Sequence, residues 1–338
     1  MKHNLRPFLI STIVLAGAFL LSVAVGSVFI PPAELFKLFS GQPSNNLQLS
    51  TYRVIVFDLR LPRTILLLLV GAALSGSGAA FQGLFRNPLA DPYLIGVASG
   101  AGLGAVIAMS VKIPSNTLGL MAIPLAALIG ATLTVLLVYE LARVGRTLPI
   151  TNLILSGVAA SSFTTAATSF VMINATGEIR RALIWMLGGS TLTGWQPVIA
   201  ALPYILVGLG ILLLMGHPLN VLQFGDEQAQ QLGVNVVRTR EIIILAASIA
   251  TAAAVAFAGV IGFVGLIVPH LVRLLWSGDY RRLLPLSMLG GASLLLFSDV
   301  LARVVMAPQE LPVGIITALA GAPFFFWVLR RAKQQNYW

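Results

Sequence analysis

Residues 242–276 read IIILAASIATAAAVAFAGVIGFVGLIVPHLVRLLW, with Arg273 as their one charged side chain. As a single helix this stretch would be about 52 Å long at ~1.5 Å per residue, well beyond the ~30 Å hydrocarbon core of a bilayer. Two crossings fit better, with the turn near Gly259 and Gly262, where a helix is most easily broken. That choice sets the parity of the whole chain and so the side on which it ends.

Working outward, apolar stretches of crossing length cover 8–30, 64–85, 93–111, 117–139, 151–173 and 195–215 before it, and 283–306 and 311–329 after it. With Pro308 and Pro312 marking the last turn, the total is ten. The composition agrees: 57% of the 338 residues are hydrophobic and 9% are charged, against ~25% charged in soluble domains. The expected fold is therefore an all-α membrane protein, one domain over 1–338. The first span follows Lys2 and Arg6, as a secretory signal would, but it is long for one and lacks a clear small-residue cleavage site.

Lysine and arginine concentrate in short cytoplasmic loops. With the N-terminus inside, eight of the 21 fall outside: Lys37, Arg53, Arg60, Arg63, Lys112, Arg180, Arg181 and Arg303. The other thirteen fall inside, among them Lys2, Arg6, Arg143, Arg146, Arg281, Arg282 and Lys333. A single crossing over 242–276 would move Arg281, Arg282 and the basic tail outside. Both termini are thus expected in the cytoplasm. The net charge of +10 is spread among the spans and forms no basic patch, which argues against nucleic acid as a partner.

Several classes of chemistry lack their residues. There is no cysteine, no phosphate-binding G-x-x-x-x-G-K-[ST] loop, no H-E-x-x-H and no G-x-S-x-G. His3, His217 and His270 have no second ligand at metal spacing, so neither a metal nor a cofactor is expected, and haem ligation by His270 is disfavoured. An ion-coupled transporter would need ionisable groups at the midplane, yet Asp299 is the one carboxylate well inside a span and Arg303 stands at i+4 to neutralise it. Small residues at Gly96, Gly100 and Gly104, and at Ala72, Gly76 and Ala80, recur every fourth position and read as close-packing helix faces.

The polar insert FGDEQAQQLG, 224–233, lies on the cytoplasmic side. Asp226 and Glu227 suit a helix N-terminus, Ala229 and Leu232 lie three apart on one face, and Gly233 suits the C-terminal end. Two readings stand: a short helix that docks into a partner's groove, or a solvated loop.

Five fragments, LRLPR (59–63), RNPLADP (86–92), the 225–233 insert, GFVGLIVPHLVR (262–273) and ELPVGIIT (310–317), occur in this order among ten spans. Together they resemble the permeases of the iron-siderophore, haem and cobalamin ABC importers. The resemblance implies the type II ABC importer permease fold in the inner (plasma) membrane. It implies a second permease subunit, most simply in a homodimer, two cytoplasmic ATP-binding subunits that hydrolyse the nucleotide, and an external substrate-binding protein. The insert, about 224–234, would be the coupling helix, with Gly225, Asp226, Glu227, Ala229, Leu232 and Gly233 facing the ATPase.

Arg60, Arg63 and Arg303 match positions where the family meets acidic residues of the binding protein. Anchoring to lipid headgroups would also account for the first two, and pairing with Asp299 for the third. Asn87 and Leu89 match one cytoplasmic gate, Ile150 and Thr151 a second. Ile150 departs from the small hydroxyl residue of the pattern, which favours hydrophobic closure, and helix capping alone would explain Thr151 or Asn152. The mechanism implied is alternating access through a chamber lined partly by spans five and ten. Ferric siderophore is the first expectation for cargo, then haem and cobalamin, with molybdate behind.

Overall fold

A computed structural model of the chain describes residues 5–26, 28, 30–40, 47–111, 117–145, 147–174, 179–189 and 193–334. Lys2, His3, Lys112 and Arg146 lie outside the described residues. The chain folds into helices α1 (Arg6–Ala24), α2 (Pro32–Phe39), α3 (Leu47–Val54), α4 (Leu61–Leu84), α5 (Val97–Ser110), α6 (Thr117–Ala142), α7 (Ile150–Asn174) and α8 (Ile179–Met186). The second half supplies α9 (Gln196–Leu214), α10 (Gly216–Leu222), α11 (Asp226–Gln231), α12 (Val236–Ala258), α13 (Val264–Leu275), α14 (Tyr280–Val304) and α15 (Val313–Gln334). Among the described residues, seven helices are long and apolar enough to cross a bilayer: α1, α3–α4 as one rod, α6, α7, α9, α12 and α14. Shorter apolar helices α5, α13 and the Val313–Val328 part of α15 supply the other three expected crossings.

α4 is the centre of the bundle, packed on α14, α12, α13 and α9, and its residues from Leu66 to Leu84 are almost all buried. Glycine permits its two closest approaches. A Cβ at Gly71 would overlap the Gly291 carbonyl of α14, and one at Gly78 the Gly265 carbonyl of α13, so both helix pairs touch backbone to backbone. The stripe of Ala72, Gly76 and Ala80 is buried as expected, but the tightest contacts lie on its neighbours. Gly100 and Gly104 do pack against α6, whereas Gly96 departs from the helix-face reading: at φ +81° it is the left-handed turn before α5.

α7 is attached differently. Its buried residues, Leu153, Gly157, Ala160, Thr164 and Thr168, form one stripe at helical spacing. The hydroxyls of Ser162, Thr164, Thr168 and Ser169 donate to carbonyls four residues back, which satisfies them without a partner helix.

The two crossings within 242–276 are present, with a sharper break than two plain helices. α12 ends at Ala258, Gly259 turns at φ +79°, and Phe263 adopts a left-handed φ of +70° before α13 starts. α13 has only 12 residues, ~18 Å of helix. Residues 259–263, between the two helices, are non-helical backbone, and Ile261 among them is buried inside the bundle. Such backbone must be hydrogen-bonded by protein. Tyr93 does this, its hydroxyl donating to the Ile261 carbonyl at 2.9 Å and accepting from the Ile261 N–H at 3.3 Å.

The three polar segments expected as connections contain helices. Residues 31–63 hold α2, α3 and a wider π-type turn, Ile55–Arg60, that runs straight into α4. Residues 174–194 hold α8, and 216–241 hold α10, α11 and the start of α12.

Candidate functional site

The 224–233 insert is a helix, shorter than its sequence span, Asp226–Gln231. Gly225 at φ +107° starts it and Gly233 at φ +83° ends it, conformations that a side chain would strain. The Gly233 N–H donates to Gln230 at 2.9 Å and the Val234 N–H to Ala229 at 3.0 Å, the paired bonds of a Schellman end. Ala229 and Leu232 do not share a surface as the spacing suggested. Ala229 is wholly buried against the bundle, while Leu232 is 63% exposed and Phe224, just before the helix, 66% exposed. The exposed side chains are thus Phe224, Glu227, Gln228, Gln230, Gln231 and Leu232, and Phe224 is the exposed apolar one that the expected contact set did not include.

Asp226 is held rather than free. Arg86 Nη2 donates to its Oδ1, and Arg240 Nη2 lies 2.8 Å from each of its oxygens. Gln223 adds a 3.0 Å bond from its Nε2 to the Gly83 carbonyl at the end of α4. The insert is therefore tied to the α4–α5 connection, where the first expected gate residues sit. There the Asn87 side chain accepts from the Leu89 N–H at 2.9 Å and Asp91 from the Tyr93 N–H at 2.8 Å. Burial pushes the Asp91 carboxyl up to about 6 against the lowering effect of that bond. Ile150 and Thr151 of the second expected gate open α7, which begins at Ile150 with the Leu153 N–H on the Pro149 carbonyl. Thr151 and Asn152 are thus inside the first turn, not its cap.

At the opposite end the three arginines are brought together, around a cavity of about 540 Å³ that also touches Glu310 and Pro312. Their roles differ. Arg60 is 6% exposed, and its guanidinium donates to the carbonyls of Val23 at 3.1 Å, Ala24 at 2.8 Å and Val28. It closes the C-terminus of α1, where a cation suits the orphan carbonyls and the helix dipole. Arg303 is 3% exposed. It lies 2.9 Å from Asp299 Oδ2 and donates to the Ser22 carbonyl at 3.0 Å, so pairing within the chain, one of its two readings, is realised. Arg63 is the accessible member, joined to Asp299 at 2.8 Å and to Glu310 at 2.6 Å. In this conformation Arg60 and Arg303 are buried and bonded to acceptors within the chain, which leaves Arg63 as the exposed member of the three.

His270 packs edge-on against Phe324, ring centroids 6.2 Å apart. Among the described residues no group of three metal-ligating side chains comes together.

Comparison with known proteins agrees with this architecture. The FecCD transport family model matches residues 13–331. An uncharacterized ABC transporter permease protein, YvrB of Bacillus subtilis, is 42% identical over 98% of this chain and 95% of its own length. The hemin transport system permease protein HmuU of Yersinia pestis is 42% identical over 82% of this chain and 84% of its own. The cobalamin import system permease protein BtuC of Halobacterium salinarum is 44% identical over 83% and 74%. Among solved structures, a transporter described as being of the metal-chelate ABC type, in an inward-facing conformation, superposes with a TM-score of 0.81 at 29% identity, covering 96% of this chain and 98% of that one. PsaBC from Streptococcus pneumoniae, at TM-score 0.52 and 15% identity over 82% of this chain and 95% of that one, shows the same fold alone. A type II importer fold, ten apolar helices and a family match over almost the whole chain converge: the protein belongs to the FecCD transport family, as a multi-span membrane permease subunit of an ABC importer.

Proposed function

We propose that this permease moves a bulky metal chelate into the cytoplasm by alternating access, driven by ATP hydrolysis on separate subunits and fed by an external binding protein. The observation that carries the reading is α11, which offers Phe224 and Leu232 to solvent while Ala229 and Asp226 fasten it to the bundle. A partner groove that took those two apolar side chains would push on a helix already joined to the transmembrane core. The assembly is a pair of permeases, most simply a homodimer, with two ATP-binding subunits and with both chain termini in the cytoplasm. Asn87, Leu89, Ile150 and Thr151 close the inner end of the pathway, and Ile150 makes that closure hydrophobic.

On the outer face the binding protein docks through acidic side chains over Arg63. Arg60 and Arg303 hold α1 and α14 in place beneath it. Such charge pairs set orientation and encounter rate more than affinity. For cargo, relatives named for cobalamin and hemin support a metal-centred tetrapyrrole ahead of the ferric siderophore that the sequence suggested first.

The test is reconstitution in liposomes with the ATPase and binding protein of the same organism, scoring ATP hydrolysis and uptake with cobalamin, hemin and a ferric siderophore. Binding-protein-dependent hydrolysis raised by one of the three identifies the cargo. Uptake driven by an ion gradient with the permease alone would overturn the reading.

A further inference from the structure

Asp226 is the first residue of α11, yet its carboxylate does no capping; it is taken by Arg86 from the end of α4 and by Arg240 from α12. Arg86 is one of two non-glycine residues with a positive φ among the described residues, at +50°. A left-handed backbone is costly for a branched or long side chain and persists where the surroundings demand it. Here it turns the chain sharply out of α4 at the point where the side chain reaches Asp226. Beyond Arg86 the connection is braced by two consecutive hydrogen-bonded turns. The Ala90 N–H donates to the Asn87 carbonyl at 3.1 Å, Asn87 receives Leu89, Asp91 receives Tyr93, and the Tyr93 hydroxyl grips Ile261 in the break between α12 and α13.

Resting on the reading of α11 as the ATPase-facing helix, we infer that Arg86 is a positioning residue that makes α11 and the α4–α5 connection move as one piece. Displacement of α11 pulls Asp226, Asp226 pulls Arg86, and the stiff 86–95 connection carries that movement to the Tyr93–Ile261 contact inside the bundle. Arg240, 12% exposed, serves as the fixed side of the clamp on α12, and Arg86 as its moving side. Without Arg86, α11 would still be folded by its own end bonds, still present Phe224 and Leu232 and still be joined to α12 by Arg240 and to the end of α4 by Gln223, but its motion would no longer reach the 86–95 connection.

The experiment uses the full complex in liposomes, with Arg86→Gln, Arg86→Lys, Asp226→Asn and the Arg86→Gln/Asp226→Asn pair. In the wild type, binding of the ATPase should slow amide exchange across 86–95. In Arg86→Gln the ATPase should copurify as before and hydrolyse ATP, while that protection is lost and cargo moved per ATP falls about fivefold or more, the lower edge of typical coupling between sites. Arg86→Lys should recover most of the transport. The double variant should be no worse than the worse single, as expected for two members of one link. Wild-type stoichiometry and protection in Arg86→Gln, or additive losses in the double variant, would overturn the inference and leave the coupling role of α11 intact. A wild-type permease that binds no ATPase would instead remove the reading beneath it. If Arg86→Gln does not accumulate, Asp226→Asn gives the same exchange readout from the other end of the link.

Discussion

Arg63 Nε, at the start of α4, donates a 2.9 Å hydrogen bond to Oδ1 of Asp299, a carboxylate with no solvent exposure in α14. Asp299 thus stands between two guanidiniums, Arg63 on one oxygen and Arg303 on the other. Removing a partner from a buried pair strands the remaining charge. Asp299→Ala should therefore cost about 3–5 kcal/mol, whereas Glu310→Gln, at the exposed end of the same network, should cost about 0–1 kcal/mol. Thermal unfolding in detergent checks the contrast, and equal losses would refute it.

Tyr93→Phe removes both bonds to Ile261 and adds nothing in their place. An unpaired N–H and carbonyl in the break should lower stability by about 1–3 kcal/mol, with faster amide exchange confined to 259–263. Unchanged exchange there would mean that another group serves Ile261.

Asp91 gives a pH dependence of unusual sign. Its carboxyl is raised to about 6 in the fold, above the ~3.9 of a free aspartate, because burial opposes the charge more than the Tyr93 N–H favours it. The folded state then binds the proton more tightly, so the ionised form destabilises above about pH 6 and the penalty vanishes as the pH falls toward ~4. Asp91→Asn keeps the acceptor for Tyr93 and drops the charge. It should be more stable than the wild type by up to about 3 kcal/mol at pH 7.5, and the gain should shrink to a few tenths near pH 4. An advantage that is flat with pH would contradict this account.

At the α4–α14 crossing, Gly291→Ala puts a methyl group into the Gly71 carbonyl and must spread the helices, at a cost of about 1–3 kcal/mol. Gly210→Ala in α9 meets nothing within 4 Å and should be neutral or gain a few tenths from helix propensity. The two melting curves, measured side by side, decide it.

Phe224→Ala and Leu232→Ala should each leave the melting of the isolated permease within about 0.5 kcal/mol, as expected of exposed side chains. Each should weaken ATPase capture about tenfold if it fills a pocket on the partner. Titration of the ATPase onto immobilised permease reads the second effect, and unaltered capture in both would exclude that face as the docking surface.

The sequence shows the crossings plainly because bilayer thickness imposes a length on every apolar run, and the run from 242 to 276 is too long to be one. It shows less of what lies between them. The polar 31–63 stretch hides α2, α3 and the π-type turn because polar residues do not forbid a helix that sits in water or at an interface. Arg60 looked like a docking cation because its acceptors are backbone carbonyls 32–37 residues away, which no side-chain pattern reveals. The Arg63–Glu310 pair spans 247 residues, and Gly71 meets Gly291 only once the helices are assembled. In the insert, end chemistry was legible from Gly225 and Gly233, but which residue faces inward depended on α10 and α12. Burial of Ala229 and exposure of Leu232 follow from those neighbours.

The contrast between α4 and α7 has a mechanical consequence. α4 is clasped on all sides, with backbone against backbone at Gly71 and Gly78, so any displacement of it breaks contacts in four directions at once. α7 rests on its neighbours along one rail of mostly small residues, its hydroxyls already satisfied within the helix. In a machine with one fixed and one sliding part, α4 has the packing that a stator needs. α7 presents a narrower bearing surface than α4, pinned backbone to backbone at Gly157 against the Leu94 carbonyl, and an element held along one stripe yields before one held on all sides.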